Sequence, residues 1–300
     1  MILRDRVRGL LIGFLAGVAG GMFGVGGGVI IVPLLRTFFG LSQHQAHGTS
    51  LAVMGPMALL GLFVYGAFSR VEWATGLLVA LGSFVTARYG ARWASRTSAL
   101  RLQRAFAVLL ALVAVRLLWQ APTITENPLG EGLPRVAFDL VLGAAVGLLA
   151  GFMGVGGGML AVPAFTLGLG MAQQVAQGTS LAVILVSGPA GALEHARHRN
   201  VVGRLVPMLV VGSMLGAPTA SWLAQLFPHE LLARVFALFL AANAVIGWIR
   251  ARPSGGPPAR PSRAEIRSAR PHGDLIAGCN QRSAPVGRHI SERLPRPSGS

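Results

Sequence analysis

The sequence predicts an all-α polytopic membrane protein with two homologous halves, and three observations support this prediction. Apolar residues make up 53% of the 300 residues and charged residues only 12%, against about a quarter in soluble proteins. Several uncharged runs exceed the roughly 20 residues that one helical crossing of a bilayer needs. A long segment of the first half also recurs in the second half. This composition excludes most soluble enzymes.

The charge balance points to a membrane rather than to nucleic acid. The chain has 26 basic and 10 acidic residues, and every basic residue is an arginine. These arginines punctuate long apolar runs and fill one tail, as expected of membrane topology. The single Cys279 excludes a disulfide framework and a cysteine metal cluster. We therefore expect membrane lipid as a partner, no nucleic acid, and no cofactor or metal.

The apolar runs give the spans in chain order. Four runs without a charged residue, of 27, 33, 54 and 23 residues, lie at residues 9–35, 37–69, 140–193 and 205–227. Three shorter stretches reach spanning length if an arginine near one end extends to the head groups, and they lie at residues 73–91, 102–120 and 231–249. The sequence thus predicts membrane helices through most of residues 9–250.

An internal repeat divides these spans into two halves. Residues 13–53 align without a gap on residues 143–183, at an offset of 130, with 19 of 41 positions identical. A polar junction at residues 121–134 separates the halves. The predicted domains are a first membrane repeat at residues 1–125, a second at 126–250, and a disordered basic tail at 251–300. The tail contacts anionic lipid in one interpretation and is functionally neutral in the other.

Two glycine words carry the functional prediction. Each word has three consecutive glycines and is followed by a proline, Pro33 or Pro163, a combination that breaks a helix inside the bilayer. Irregular backbone at that depth is tolerated where it lines a protein cavity, and the half-helix amino ends offer N–H groups to an anion. Close helix packing by small residues is the alternative. The predicted substrate-binding glycines of these words are Gly24, Gly26, Gly27, Gly28, Gly154, Gly156, Gly157 and Gly158.

The second repeated word adds hydroxyl groups near the start of the next span. Its predicted substrate-binding residues are Gly48, Thr49, Ser50, Gly178, Thr179 and Ser180. Their hydroxyls either cap the following helix or donate to the anion. Gln43 and Gln173 match across the repeat, and His47 aligns with Gln177. These four are either further polar donors or interfacial loop residues.

His195 is the candidate for proton coupling, because histidine titrates near neutral pH. Glu194 precedes it, and Arg197, His198 and Arg199 follow. The alternative interpretation places the whole cluster among the cytoplasmic head groups.

The arginines also constrain the topology. Four simple crossings per half would put the arginines of residues 88–104 and of residues 197–204 on opposite sides, against the positive-inside bias. If residues 9–39 and 139–170 each form a hairpin broken at its glycines, both groups lie inside. Each half then keeps three crossings, so the two halves are inverted relative to each other.

A glycine-rich word followed by Val-Pro and then by Gly-Thr-Ser-Leu, twice in one chain, resembles the TauE/SafE sulfite exporter family over residues 9–250. Gly191, His195 and Gly203 are similar to a further family pattern, whereas the first half has Tyr65 at the position of the histidine. The resemblance implies a membrane transporter of sulfur-containing or related organic anions.

The predicted function is therefore secondary transport of a small anion, sulfite or an organosulfonate, across the inner (plasma) membrane. An anion channel is one alternative. A membrane-embedded enzyme is another, although the membrane segments contain no cysteine and no metalloprotease or serine-hydrolase word. The expected activity is transport without catalysis.

Overall fold

The fold is helical throughout, as predicted. The computed structural model describes residues 3–94, 99–119, 132–153 and 157–250, and these residues contain no strand. The first half has α1 (Leu3–Phe23), α2 (Gly28–Phe39), α3 (Gln43–Ala67), α4 (Trp73–Ala94) and α5 (Ala99–Trp119). The second half has α6 (Leu133–Met153), α7 (Gly158–Pro163), a π-helical turn (Ala164–Gly168), α8 (Gln173–Arg197), α9 (Val206–Leu226) and α10 (His229–Arg250).

Six of the described helices are long and apolar enough to cross a membrane, namely α1, α3, α6, α8, α9 and α10. Helices α4 and α5 have similar lengths of 22 and 21 residues and carry Arg92 and Arg116 in their last turns. Both lie where the sequence predicts spans whose arginine extends to the head groups. The protein is a membrane protein with several helical spans.

The first glycine word ends α1 and turns the chain back on itself. The Arg8 guanidinium, in the first turns of α1, lies 6.0 Å from the centre of the Phe38 ring at the far end of α2. The two helices therefore form a hairpin that enters and leaves at the same end of the bundle. This is the broken hairpin that the sequence predicts for residues 9–39.

The second glycine word occupies the equivalent place between α6 and α7. Residues 154–156 lie outside the described residues, α6 ends at Met153, and α7 begins at Gly158. Beyond Pro163 the chain continues as the π-helical turn, whose last residue, Gly168, faces the Phe138 ring in the first turns of α6. This segment therefore also returns to the end from which α6 starts.

Helices α3 and α8 form an antiparallel pair at the centre of the bundle. A Cβ added at Gly48, near the start of α3, would lie 2.9 Å from the Cβ of His195, near the end of α8. A Cβ added at Gly61, near the end of α3, would lie 2.9 Å from Leu181, near the start of α8. The helices α3 and α8 carry the same repeated word and are therefore equivalent in the two halves. Their contacts show that they run in opposite directions.

Two parallel helix pairs flank this centre and make matching contacts 130 positions apart. Gly13 of α1 packs against the Leu209 carbonyl of α9, and Gly143 of α6 packs against the Val79 carbonyl of α4. Small residues allow the backbones to approach this closely, as is typical of membrane helices. Each half thus packs its hairpin against the fourth helix of the other half.

The bundle has two chemically different ends. The arginine end holds Arg8, Arg92 and Glu194, and the glutamine end holds Gln173 together with Tyr65, at the last turn of α3. Arg92 of α4 and Glu194 of α8 form an ion pair of 2.8 Å. The arginine-rich segments around residues 92 and 197 therefore share one end of the bundle, as the hairpin topology requires.

Two predictions fall outside the described residues. Most of the junction, residues 121–131, and the whole tail, residues 251–300, are not described. The domain boundary at residues 125 and 126 and the disorder of the tail therefore stay predictions.

Candidate substrate site at the glycine breaks

The first break is made by glycines in the left-handed conformation. Gly24, Gly26 and Gly27 have φ values of 65°, 82° and 67°, a region that L side chains rarely adopt. The Gly24 N–H still closes α1 through the Gly20 carbonyl at 2.9 Å, and α2 starts at Gly28 without a side-chain cap. The N–H groups of Gly28 and Val29 therefore have no carbonyl partner within their own helix.

The two breaks meet inside the bundle. A side chain at Gly158 would overlap the carbonyl oxygen of Gly24 and lie 2.7 Å from the Val25 Cα. A Cβ at Gly26 would lie 3.3 Å from both Met54 and Ile184, which are near the middle of α3 and α8. The breaks thus touch at about half the length of the two central helices. All residues from Gly24 to Gly28 are buried.

The second glycine word does not repeat the left-handed backbone of the first word at the residues that the structure describes. Gly157 is buried and has a φ of −66°, in the ordinary helical region, and a side chain there would overlap the Val146 side chain. Gly154 and Gly156 lie outside the described residues. The left-handed backbone is thus established for the first word, while binding of substrate by either word stays a prediction.

The Gly-Thr words hold loops against the central helices. Gly48 packs against the Asn200 carbonyl, in the loop before α9, and the Thr49 hydroxyl accepts a hydrogen bond of 3.0 Å from the Val202 N–H. In the other half Gly178 packs against the Arg70 carbonyl. The Thr179 hydroxyl accepts a bond of 2.9 Å from the Glu72 N–H, just before α4. Each word therefore anchors the loop that leads into the fourth helix of one half.

Ser180, in the Gly-Thr-Ser word of α8, contacts the first glycine break. The Ser180 hydroxyl donates a 2.8 Å hydrogen bond to the Gly24 carbonyl, and both residues are buried. Ser50 occupies the equivalent buried position in α3. Ser180 therefore positions the break, and contact of its hydroxyl with an anion stays a prediction.

The capping interpretation of these hydroxyls is wrong. Helix α3 is capped by Ser42, whose side chain accepts from the Gln45 N–H while the Gln45 side chain accepts from the Ser42 N–H. Ala172 precedes α8 and supplies no side-chain cap. The threonines and serines are the seventh and eighth residues of their helices, beyond the first turn, where the backbone N–H groups are already paired.

The glutamines of α8 are buried, which overturns the interfacial alternative for them. Gln173 and Gln177 have no exposed surface, whereas Gln43 of α3 is partly exposed. The Tyr65 hydroxyl donates to the Gln177 Oε1 at 2.9 Å. Within the part of the chain that the structure describes, the Gln177 Nε2 and both amide atoms of Gln173 have no hydrogen-bond partner. The repeat alignment identifies these positions, but it does not show that Gln177 lies against Gly24 in the hairpin of the other half.

The cluster around His195 is divided between buried and exposed groups. His195 is buried, and its Nε2 lies 3.5 Å from the Gly151 carbonyl. Glu194 is also buried and pairs with the exposed Arg92, Arg197 and His198. The head-group interpretation fits Arg197 and His198 but not His195, whose role in proton coupling stays a prediction. Among the described residues no group of three or more histidine, cysteine or acidic side chains is placed to hold a metal.

Comparison with known proteins identifies the family. The family model "Sulfite exporter TauE/SafE" matches residues 2–117 and 140–279. A "Probable membrane transporter protein" of Xylella fastidiosa is 30% identical over 237 residues, covering 78% of this chain and 91% of that protein. The "Probable membrane transporter protein YunE" of Bacillus subtilis is 27% identical over 69% of this chain and 84% of its own length. No solved structure matches the chain. The chain therefore belongs to the sulfite exporter TauE/SafE family and is a membrane transporter.

Proposed function

We propose that this transporter moves a small anion, such as sulfite, an organosulfonate or a related organic anion, by secondary transport. The observation that carries the proposal is the buried meeting point of the two glycine breaks. There the amino end of α2 presents the N–H groups of Gly28 and Val29 near the middle of the bundle. A helix amino end also carries a partial positive charge, so it stabilises an anion.

The donors around the break are uncharged. Every arginine whose burial the structure describes is exposed or partly exposed. Backbone dipoles and amide groups therefore balance the charge of the anion, and no formal cation has to be desolvated in the bilayer. Sulfur oxyanions have several oxygens that accept hydrogen bonds from such donors.

The antiparallel α3 and α8 support alternating access. They carry equivalent repeated words and run in opposite directions, which is the arrangement that inverted halves require. Gly158 and Gly24 touch directly, so passage of an anion needs the two hairpins to separate. This closed contact favours a carrier over a channel.

Counterflow tests the proposal. Purified protein in proteoliposomes is preloaded with unlabelled sulfite, thiosulfate, methanesulfonate or acetate, and uptake of radiolabelled sulfite is followed. We expect saturable uptake that the transported internal anions accelerate. Absence of acceleration by every anion of the panel overturns the carrier, and a flux that rises linearly without exchange indicates a channel.

We further propose that the protein lies in the plasma membrane with the arginine end in the cytoplasm, because arginine-rich loops favour that side. In a Cys279→Ser background, Phe68→Cys reports on the glutamine end and Gly203→Cys on the arginine end. A membrane-impermeant maleimide added to intact cells should label only Phe68→Cys. Labelling of Gly203→Cys alone reverses the orientation, and equal labelling of both contradicts the two-ended topology.

A further inference from the structure

We propose that Gln173 and Gln177, at the amino end of α8, form a binding subsite for a singly charged oxyanion. The proposal rests on the anion transport proposed above and places one binding step at the glutamine end. It starts from two side chains whose polar atoms the fold leaves unpaired.

The unpaired atoms are fully buried. Gln173 and Gln177 have 0% relative exposure. Among the described residues, neither the Nε2 nor the Oε1 of Gln173 has a hydrogen-bond partner, and the Nε2 of Gln177 has none either. Burying an amide without a partner is unfavourable, so such groups in a native fold call for a ligand or a bound water.

The amino end of α8 has no side-chain cap, whereas Ser42 caps that of α3. The first helical bond of α8 joins the Ala176 N–H to the Ala172 carbonyl at 3.0 Å, and Ala172 has no side chain that can cap the helix. The N–H groups of Gln173, Gln174 and Val175 therefore lack a partner within the helix. Side chains on a helix lean towards its amino end, and residues four apart share one face. From this geometry we expect both glutamine side chains to lean towards these three N–H groups.

Tyr65 sets the orientation of one amide. Its hydroxyl donates to the Gln177 Oε1 at 2.9 Å and lies 3.1 Å from the Gly21 carbonyl. Because the Oε1 accepts from Tyr65, the Nε2 of Gln177 is left as a donor for a ligand. Tyr65 is therefore a positioning residue.

The subsite is continuous with the first glycine break. A Cβ at Gly24 would lie 2.8 Å from the Gln177 Cα, so the two segments are in direct backbone contact. An anion that leaves the break towards the glutamine end therefore passes the two amides. Gln173 lies one turn nearer to that end than Gln177.

The uncharged donors of the subsite favour a singly charged anion over a doubly charged one. The subsite offers amide and backbone N–H groups, and among the described residues the one side-chain partner of its two amides is the neutral Tyr65 hydroxyl. The cost of removing water from an ion rises steeply with its charge, and neutral dipoles offset only part of it. Hydrogensulfite and alkanesulfonates should therefore bind in preference to the sulfate dianion.

The test uses Gln173→Met and Gln177→Met, which keep the side-chain length and remove the amide. Gln43→Met is the matched control, because Gln43 is the equivalent residue of the capped helix α3 and is partly exposed. Initial rates of radiolabelled methanesulfonate uptake into proteoliposomes give KM and Vmax. We expect each variant to raise KM at least about tenfold with Vmax within about twofold, while Gln43→Met leaves both unchanged. Unlabelled sulfate should compete less well than unlabelled methanesulfonate.

Thermal unfolding in detergent provides a second readout that does not depend on transport. Methanesulfonate should raise the Tm of the unmodified protein and of Gln43→Met, and should raise that of the two α8 variants much less. If the unmodified protein shows this shift but carries no anion, the transport proposal fails and the subsite stands. No shift in the unmodified protein, or equal shifts and equal KM values in all variants, overturns the subsite.

Discussion

The two ends of the bundle are built from residues at equivalent positions of the two repeats, but these residues differ in chemistry. At the glutamine end the Tyr65 hydroxyl lies 3.1 Å from the Gly21 carbonyl and donates to Gln177. At the arginine end His195, 130 positions after Tyr65, lies 3.5 Å from the Gly151 carbonyl, and His47 replaces Gln177. The same backbone contact is thus made by a neutral phenol at one end and by an imidazole at the other.

The ion pairs extend this difference. At the arginine end Glu194 lies within ion-pair distance of Arg92, Arg197 and His198, whose side chains are 57–60% exposed. At the glutamine end Arg135 and Asp139 form an ion pair with relative exposures of only 16% and 1%. The repeated words therefore supply a common scaffold, and the residues between them make the ends unequal.

The largest expected effect comes from filling the breaks that both ends share. Gly27→Leu places a side chain on a left-handed residue 2.5 Å from the Ala16 carbonyl, and Gly157→Leu overlaps Val146. Each should abolish uptake into proteoliposomes while membrane insertion continues. Gly203→Leu is the control, since a Cβ there meets nothing within 4 Å. Transport that survives both substitutions contradicts a site at the breaks.

A second substitution pair compares the ion pairs of the two ends. Arg135→Ala leaves the buried Asp139 carboxylate without its cation, so we expect the free energy of unfolding to fall by about 3 kcal/mol. Arg92→Ala should have a much smaller effect, because Arg92 is exposed and Glu194 keeps Arg197. Unfolding of both variants in mixed micelles measures the difference. Equal losses would show that burial does not distinguish the two ends.

The smallest expected effect concerns the support of the first break. Ser180→Ala removes the donor to the Gly24 carbonyl and should lower the free energy of unfolding by about 1–2 kcal/mol, with a slower rate of uptake. Ser187→Ala, on the same helix, removes a buried hydroxyl that has no hydrogen-bond partner among the described residues, and it should be nearly neutral. A loss of stability in Ser187→Ala equal to that in Ser180→Ala would contradict the role of the Gly24 bond.

The sequence correctly predicted the membrane class, the helices and the first broken hairpin. These features depend on local properties, namely the length of an apolar run and the effect of three consecutive glycines before Pro33 on a helix. The alignment also picked out Thr49 and Thr179, but the capping role considered for their hydroxyls was wrong, and their contact with an anion stays a prediction. Each hydroxyl pairs with a loop more than 100 residues away in the chain, Thr49 with Val202 and Thr179 with Glu72.

The sequence by itself determined where the helices break and which polar residues accompany each break. Only the tertiary structure decided that Gly24 and Gly158 touch, that α3 and α8 run antiparallel, and that Gln173 is buried with its amide unpaired. The physical reason is the range of the interactions. Hydropathy and backbone conformation act over a few residues, whereas the contacts of Gly24 with Gln177 and with Gly158 join residues more than 100 positions apart in the chain.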